Sequence, residues 1–376
     1  MTQERETTTD VAALRELALT VRAYLASRRA EGAFEPHCDA WADDWNPEFS
    51  RELAAQGWVG MTIPERYGGG GRPHIERFVV AEEILASGAP VAAHWVTERQ
   101  IAPQLLKLGT EDQRERYLPR IARAEIAFCL GMSEPSSGSD LASVRTAATR
   151  APDGWLVNGQ KIWTGNAHHA DYMLALCRTS PESDHHAGLS QLIIDLHGPG
   201  VDARPIPAAI GDDHFAEVFF DDAFVPDGDV LGNVGDGWRQ VTAELGYERG
   251  GSDRFMSNLP LLQAFVERTQ TERPDVLAGV GELVARAVAL RSLAMGVMEA
   301  ASSGRDFGAD AALAKDAGNT YEQETAGILR DLGVSPEDQT LTALLDHAIL
   351  FAPTISLRGG STEVLRGITA KTLVGR

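Results

Sequence analysis

The sequence predicts an α+β chain of three parts: a helical segment over 1–125, a β-rich segment over 126–234 and a helical bundle over 235–376. Three observations carry this. Apolar residues near the start recur at three- and four-residue steps, with Val11, Leu14, Leu17, Ala18, Val21 and Leu25 on one helical face. From Ile126 the period shortens and turn residues recur every ten residues or so. After Gly237 long helical periods return.

In the first part, Asn46-Pro47 reads as a helix cap followed by a first-turn proline, and Gly57 as the stop. Gly68 to Gly71 reads as a loop. The apolar set Phe78, Val79, Ala81, Ile84 and Leu85 forms a helix broken by Gly88-Ala89-Pro90, and Thr110 with Gln113 forms a capping box that opens another. In the middle part, Ser143 to Arg150 and Trp155 to Trp163 flank Ala151-Pro152-Asp153-Gly154, a hairpin signal. Tyr172 to Arg178, Leu189 to Leu196 and Ala216 to Phe220 continue as strands, an arrangement expected to give a β-sandwich or partial barrel. In the last part, Val276 to Ala301 and Ala311 to Leu332 are long helices of a bundle, and Ser361 caps a final helix over Thr362 to Leu373.

Composition narrows the function. The chain has 376 residues with 43% apolar content, ordinary for a globular protein. Its net charge of -20 repels polyanions and argues against nucleic acid or an anionic membrane as partner. Cys38, Cys129 and Cys177 are too few and too scattered for a zinc site or a disulfide framework, which fits a reducing cytoplasm. The N-terminus, Met1 to Asp10, is polar and acidic, and no apolar run approaches the length of a membrane span, so neither a signal peptide nor an anchor is expected. His168-His169 resembles a metal pair but is expected on a surface loop, and Glu82-Glu83 and Asp212-Asp213 on solvated faces. No metal site is expected.

The most informative stretch is Gly131-Met132-Ser133-Glu134-Pro135-Ser136-Ser137-Gly138-Ser139-Asp140, followed by Gly159-Gln160-Lys161-Ile162-Trp163. Small and hydroxyl residues let backbone N–H groups approach an anion, and the indole offers a broad aromatic face. Singly, such residues serve turns and packing. Together they suggest one site for the phosphate and ring ends of a cofactor. Glu134 and Asp140 flank this nest but are read as structural, since a loop carboxylate commonly bonds neighbouring N–H groups or an Arg.

These motifs resemble the acyl-CoA dehydrogenase family. So do Gly57-Trp58-Val59-Gly60, Ile63-Pro64-Glu65-Arg66-Tyr67-Gly68-Gly69, Gly109-Thr110-Glu111-Asp112-Gln113, Phe219-Phe220-Asp221-Asp222 and Gly359-Gly360-Ser361-Thr362-Glu363, in the family's order and spacing. The resemblance implies FAD, an acyl-CoA substrate desaturated between its α and β carbons, and an electron-transfer flavoprotein as acceptor. It implies that Met132 and Ser133 bond the flavin ring, that Gly138 and Ser139 lie at the pyrophosphate or the CoA chain, that Trp163 packs on the ring, and that Ser361 lies near the pyrophosphate. Family members carry the base at one of two places. One matches Gly359, which has no carboxylate; the other matches Glu248 in Leu245-Gly246-Tyr247-Glu248-Arg249. Glu248 is therefore the expected base, Arg249 a substrate contact, and Gly359 a backbone N–H donor to the thioester carbonyl.

Three departures qualify the resemblance. Gly165 stands where many members have Ser or Thr near flavin N5, with Thr164 supplying a hydroxyl one residue early. Two segments that hold the adenine half of FAD across a subunit contact are missing from Gln263 to Arg286 and from Asp331 to Leu357. Arg358 places a cation beside the expected thioester pocket, either at the surface or against a polar acyl group. Such losses resemble an actinobacterial subfamily that assembles heterotetramers with a related chain, some acting on CoA esters of sterol side chains. A homo-oligomer, a flavin monooxygenase or nitroalkane-type oxidase on the same fold, and a non-catalytic partner subunit remain alternatives at this level.

Overall fold

The computed structural model describes residues 10–180, 186–209, 211, 214–269 and 272–375. Twelve α-helices and eight strands appear among them. The first part holds α1 (Val11–Ala30), α2 (Pro47–Ala55), α3 (His74–Ser87), α4 (Ala92–Val96), α5 (Ala102–Leu108) and α6 (Glu111–Ala122), with a π-type turn at Thr97–Ile101. Local chemistry sets several ends. Asn46 Oδ1 accepts from Phe49 N at 2.9 Å, ahead of Pro47. Thr110 and Gln113 cap each other reciprocally. Gly88 ends α3 in the left-handed region, φ +65°, where a Cβ would meet His37 N at 2.6 Å. The stripe predicted along α1 is buried at Val21 and Leu25, whereas Val11 is exposed at the helix start.

The middle part contains β1 (Phe128–Gly131), β2 (Ala147–Ala151), β3 (Gly154–Gly165), β4 (Tyr172–Arg178), β5 (Leu189–Asp195), β6 (Val201–Ile206), β7 (Phe215–Pro226) and β8 (Val230–Leu231). They form one continuous eight-stranded sheet in the order β6-β7-β3-β2-β4-β5-β8, with β1 pairing parallel to β4. The predicted hairpin is β2–β3, its turn made by Pro152 and by Asp153 at φ +60°. The strand expected at Ala216 to Phe220 runs on to Pro226, because β3 continues to pair with it there.

The last part holds α7 (Gly237–Arg249), α8 (Leu259–Thr269), α9 (Pro274–Ser302), α10 (Gly308–Gly333), α11 (Gln339–Ile355) and α12 (Thr362–Leu373). One large apolar core joins α8–α11 to α1–α4, from Val21 and Phe49 to Phe265, Leu329 and Phe351. A second fills the sheet domain around Val157, Met173 and Val218, and a third packs α5 and α6 on the sheet. A small fourth core sets Val144, Leu176 and Leu189 of the sheet domain against Val241 of α7, with Met132 and Leu245 at its edge. It fixes α7 to the loop after β1.

Two expectations need correction or lie out of reach. Glu82 and Glu83 are half-buried rather than solvated, because each pairs with a guanidinium, Arg291 at 2.7 Å and Arg22 at 2.8 Å. Asp212-Asp213 and residues 1–9 lie outside the described residues. No described helix is long and apolar enough to cross a membrane.

Candidate active site

The loop after β1 is held from below. Glu134 is buried, and its carboxylate accepts from Arg145 N at 2.6 Å, Thr146 N at 2.8 Å and Lys161 Nζ at 2.9 Å. Lys161 is fully buried and also donates to Met132 O at 3.1 Å. These bonds hold the Glu134 carboxyl below its usual range despite burial, so Glu134 is a structural anion, as expected, with a lysine rather than an arginine as partner. Glu134 and Ser137 exchange two backbone hydrogen bonds, and Ser137 Oγ bonds Asp140 O and Ser143 Oγ. Gly138 and Ser139 are exposed, and a Cβ on Gly138 would meet nothing within 4 Å. Ser133 O accepts from Ile162 N at 3.0 Å, which ties the loop to β3 just before Trp163.

Trp163 is not a core residue. Its side chain is 57% exposed, and its backbone adopts φ +57°, uncommon for a bulky residue. A register shift between Lys161 and Thr164 on β3 re-aims the strand there. The indole and the Phe215 ring stand nearly perpendicular, with centroids 5.9 Å apart. Thr164 is buried, and its Oγ1 has no protein hydrogen-bond partner. Gly165 packs under His214, whose ring a Cβ would meet at 3.0 Å; burial pushes that imidazole down to about 4.

The second group of predicted residues surrounds the end of α7. A Cβ added at Gly359 would stand 2.6 Å from Glu248 Oε1, 3.0 Å from its Cδ and 2.8 Å from Lys315 Cε. The Glu248 carboxylate therefore lies where the first atoms of a side chain from position 359 would go. Gly359 has φ +67°, and its carbonyl accepts from Arg249 Nε at 2.9 Å. Arg254 Nη2 donates to Glu248 Oε1 at 2.8 Å, and Arg99 and Arg254 both donate to the Glu248 carbonyl at the helix end. Arg99 pairs with Asp253 at 2.8 Å. This concentration of guanidinium groups makes the site locally less acidic than the chain as a whole. Burial pushes Lys315 down to about 7. Ser361 caps α12, its Oγ accepting from Val364 N. Arg358 is half-buried, donates to Asp39 Oδ1 at 2.8 Å and lies over Trp41 and Phe351, so protein partners hold it away from the open surface.

The structure thus joins Glu248, Arg249 and Gly359 in one place, and Met132, Ser133, Trp163 and Thr164 in another. The small core that Met132 and Leu245 both pack against links the two. Arg99, Arg254, Lys315 and Glu244 escaped the sequence reading. Only Glu244, one turn before Glu248, had a spacing signal. His168 and His169 lie in a turn, with His169 stacked on Trp45. Elsewhere His37 and His347 flank Asp43, at 3.5 Å and 3.3 Å, and hold its carboxyl far below the usual range.

Comparison with known proteins decides the family. The profile described as "Acyl-CoA dehydrogenase, N-terminal domain" matches residues 13–125, and "Acyl-CoA dehydrogenase, middle domain" matches residues 129–223. The acyl-CoA dehydrogenase IpdE1 of Mycolicibacterium smegmatis is 34% identical over 351 residues, 88% of this chain and 87% of that protein. The chain belongs to the acyl-CoA dehydrogenase family. Among solved structures, the Tcur3481-Tcur3483 steroid ACAD aligns with TM-score 0.85 at 28% identity, covering 98% of this chain and 98% of that one. The ChsE4-ChsE5 complex from Mycobacterium tuberculosis aligns with TM-score 0.82 at 27% identity, covering 98% and 99%. This acyl-CoA dehydrogenase therefore has the family's helical, sheet and helical order over its whole described length.

Proposed function

We propose that the protein desaturates an acyl-CoA thioester between its α and β carbons, with Glu248 removing the α-proton, and passes electrons to an electron-transfer flavoprotein. The observation that carries this reading is the Glu248 carboxylate lying where a side chain from position 359 would begin. The two places from which family members supply a base converge on one point, and only one of them has a carboxylate here. Arg254 orients Oε1, and Arg249 fixes the Gly359 carbonyl, which holds the turn at Gly359 whose own N–H would meet a thioester oxygen.

The residues fit FAD. Trp163 holds an exposed indole in a backbone conformation that solvent exposure alone does not reward, and Thr164 keeps a buried hydroxyl without a protein partner beside it. Met132, Ser133, Gly138, Ser139, Trp163, Thr164, Gly165 and Ser361 would hold the cofactor. When bound, FAD supplies the acceptor for the β-hydride equivalent. We assign the three domains to 1–125, 126–234 and 235–376, and the functional unit to an assembly with a second, related chain. Two of the similar structures pair two differently named chains, one of them called a steroid ACAD, which supports that assembly and a sterol-derived acyl group.

The test is Glu248→Gln. It should fold, keep FAD and bind acyl-CoA, yet lose anaerobic flavin reduction by orders of magnitude, because the amide keeps the shape without accepting a proton. Flavin reduction at the parental rate would place the base elsewhere.

A further inference from the structure

Away from the active site, the segment before α2 is a crossing point of the three parts of the chain. His37 N donates to Gly88 O at 3.1 Å, Asp39 N to Ser257 O at 3.0 Å, and Asn166 Nδ2 of the sheet part to Ala42 O at 2.8 Å. At this crossing Asp43 is enclosed, its side chain 2% exposed, between His37 of the same segment and His347 of α11. Both carboxylate oxygens of Asp43, His37 Nδ1 and His347 Nε2 are buried and make no hydrogen bond within the protein. Four such atoms facing one another need a reason.

Asp43 Oδ1 lies 3.5 Å from His37 Nδ1, and Oδ2 lies 3.3 Å from His347 Nε2. A charge-assisted hydrogen bond between such groups spans about 2.7–2.9 Å, so these are ion-pair contacts that leave the donors and acceptors unsatisfied. The separations suit neighbouring atoms of a tetrahedral metal shell, which stand roughly 3.3 Å apart when each metal bond is about 2.0 Å. One ligand atom from each of the three residues falls within 4.8 Å of the other two, and the imidazole centroids are 4.0 Å apart. Rotation of His37, the most exposed of the three, closes the remaining distance. The surrounding charge also favours a cation. The charges that act on His37 come from Asp43, Asp44 and Asp39, all negative. Arg358 is held by Asp39, and His214, which also feels Asp43, is neutral because burial pushes it down to about 4.

We propose that His37 Nδ1, the Asp43 carboxylate and His347 Nε2 bind one divalent cation of the zinc class, which clamps the segment before α2 to α11. Two imidazoles and a carboxylate suit zinc, cobalt or nickel, whereas magnesium and calcium take shells of oxygen. Three protein ligands leave a fourth position to solvent. The third ligand comes from the far end of the chain, so no sequence spacing marks the set. The assignment is independent of the desaturation chemistry.

The experiment uses the FAD-loaded protein, with any partner chain it needs, freed of metal by a chelator and titrated with zinc chloride in a calorimeter. Zinc should bind at one equivalent per copy of this chain and raise the melting temperature, and magnesium should do neither. His37→Gln and His347→Gln should each weaken zinc binding roughly a hundredfold. X-ray absorption at the zinc edge needs no variant, and it should show nitrogen and oxygen ligands, two of them imidazoles, with no sulfur. The proposal is overturned if the parent takes up no zinc, if either variant folds and binds zinc as tightly as the parent, or if the bound zinc has sulfur ligands or fewer than two imidazoles. Should both variants fail to fold, the absorption spectrum of the parent still decides.

Discussion

Gly359→Ala is the smallest change that probes the geometry on which the active site rests. An L-residue at φ +67° costs roughly 1–2 kcal/mol relative to glycine. The added methyl also has no room: at 2.6 Å from Glu248 Oε1 it falls about 0.8 Å short of an ordinary contact, and Lys315 Cε blocks the other side at 2.8 Å. Arg254 pulls Oε1 from its own direction, so the carboxylate must shift against a guanidinium. A displacement approaching 1 Å at a reacting group costs on the order of a hundredfold in rate. We therefore expect a modestly lower melting temperature, unchanged FAD content, and flavin reduction slowed by roughly ten- to a hundredfold in anaerobic stopped-flow. If Gly359→Ala melts and reduces its flavin like the parent, the carboxylate does not lie against residue 359 and the argument for Glu248 loses its support.

Trp163→Gly should lose FAD retention while stabilising the flavin-free protein by about 1 kcal/mol through relief of the positive φ; a denaturant titration of the stripped protein checks the sign. Lys161→Met should destabilise by roughly 3–5 kcal/mol, because it leaves the buried Glu134 carboxylate without its cation, and an unchanged unfolding midpoint would contradict the pairing. Glu244 gives a pH signature: its value is raised from 4.5 to about 8, so between those limits the native state holds a proton that the unfolded chain releases. Its contribution therefore weakens stability as pH rises through that window, by on the order of a few kcal/mol, and Glu244→Gln should flatten the slope when unfolding is compared at about pH 5 and about pH 8. Light scattering on the flavin-loaded species should show an assembly, and a fully active monomer would exclude the shared-site arrangement.

Much of the fold was legible because local chemistry and tertiary context agree in it. The capping box at Thr110 and Gln113, the Asn46-Pro47 start and the Ser361 cap each satisfy helix-end N–H groups with residues a few positions away. The β6 strand, Val201–Ile206, was not legible. It is an edge strand with little apolar surface and a proline, and only its pairing with β7 defines it. Within the site, Glu248 could be singled out only through resemblance, since a Glu-Arg pair on a helix has no local mark of function. Arg254, Arg99 and Lys315 come from three different elements and meet at Glu248 only through packing. The exposure of Trp163 depends on a strand irregularity set by its partner β7, which no single-strand pattern encodes.

The Glu134–Lys161 contact has a kinetic consequence. By gripping two backbone amides and an ammonium from β3, one carboxylate cross-links the loop after β1 to the strand that presents Trp163, closing a ring of chain without a covalent bond. The loop thus has its shape before any ligand arrives. Little backbone freedom is left to lose on association, so capture of the cofactor should be limited by encounter and not by a folding step, and apoprotein mixed with excess flavin nucleotide should regain its absorbance in a single phase whose rate scales with nucleotide concentration.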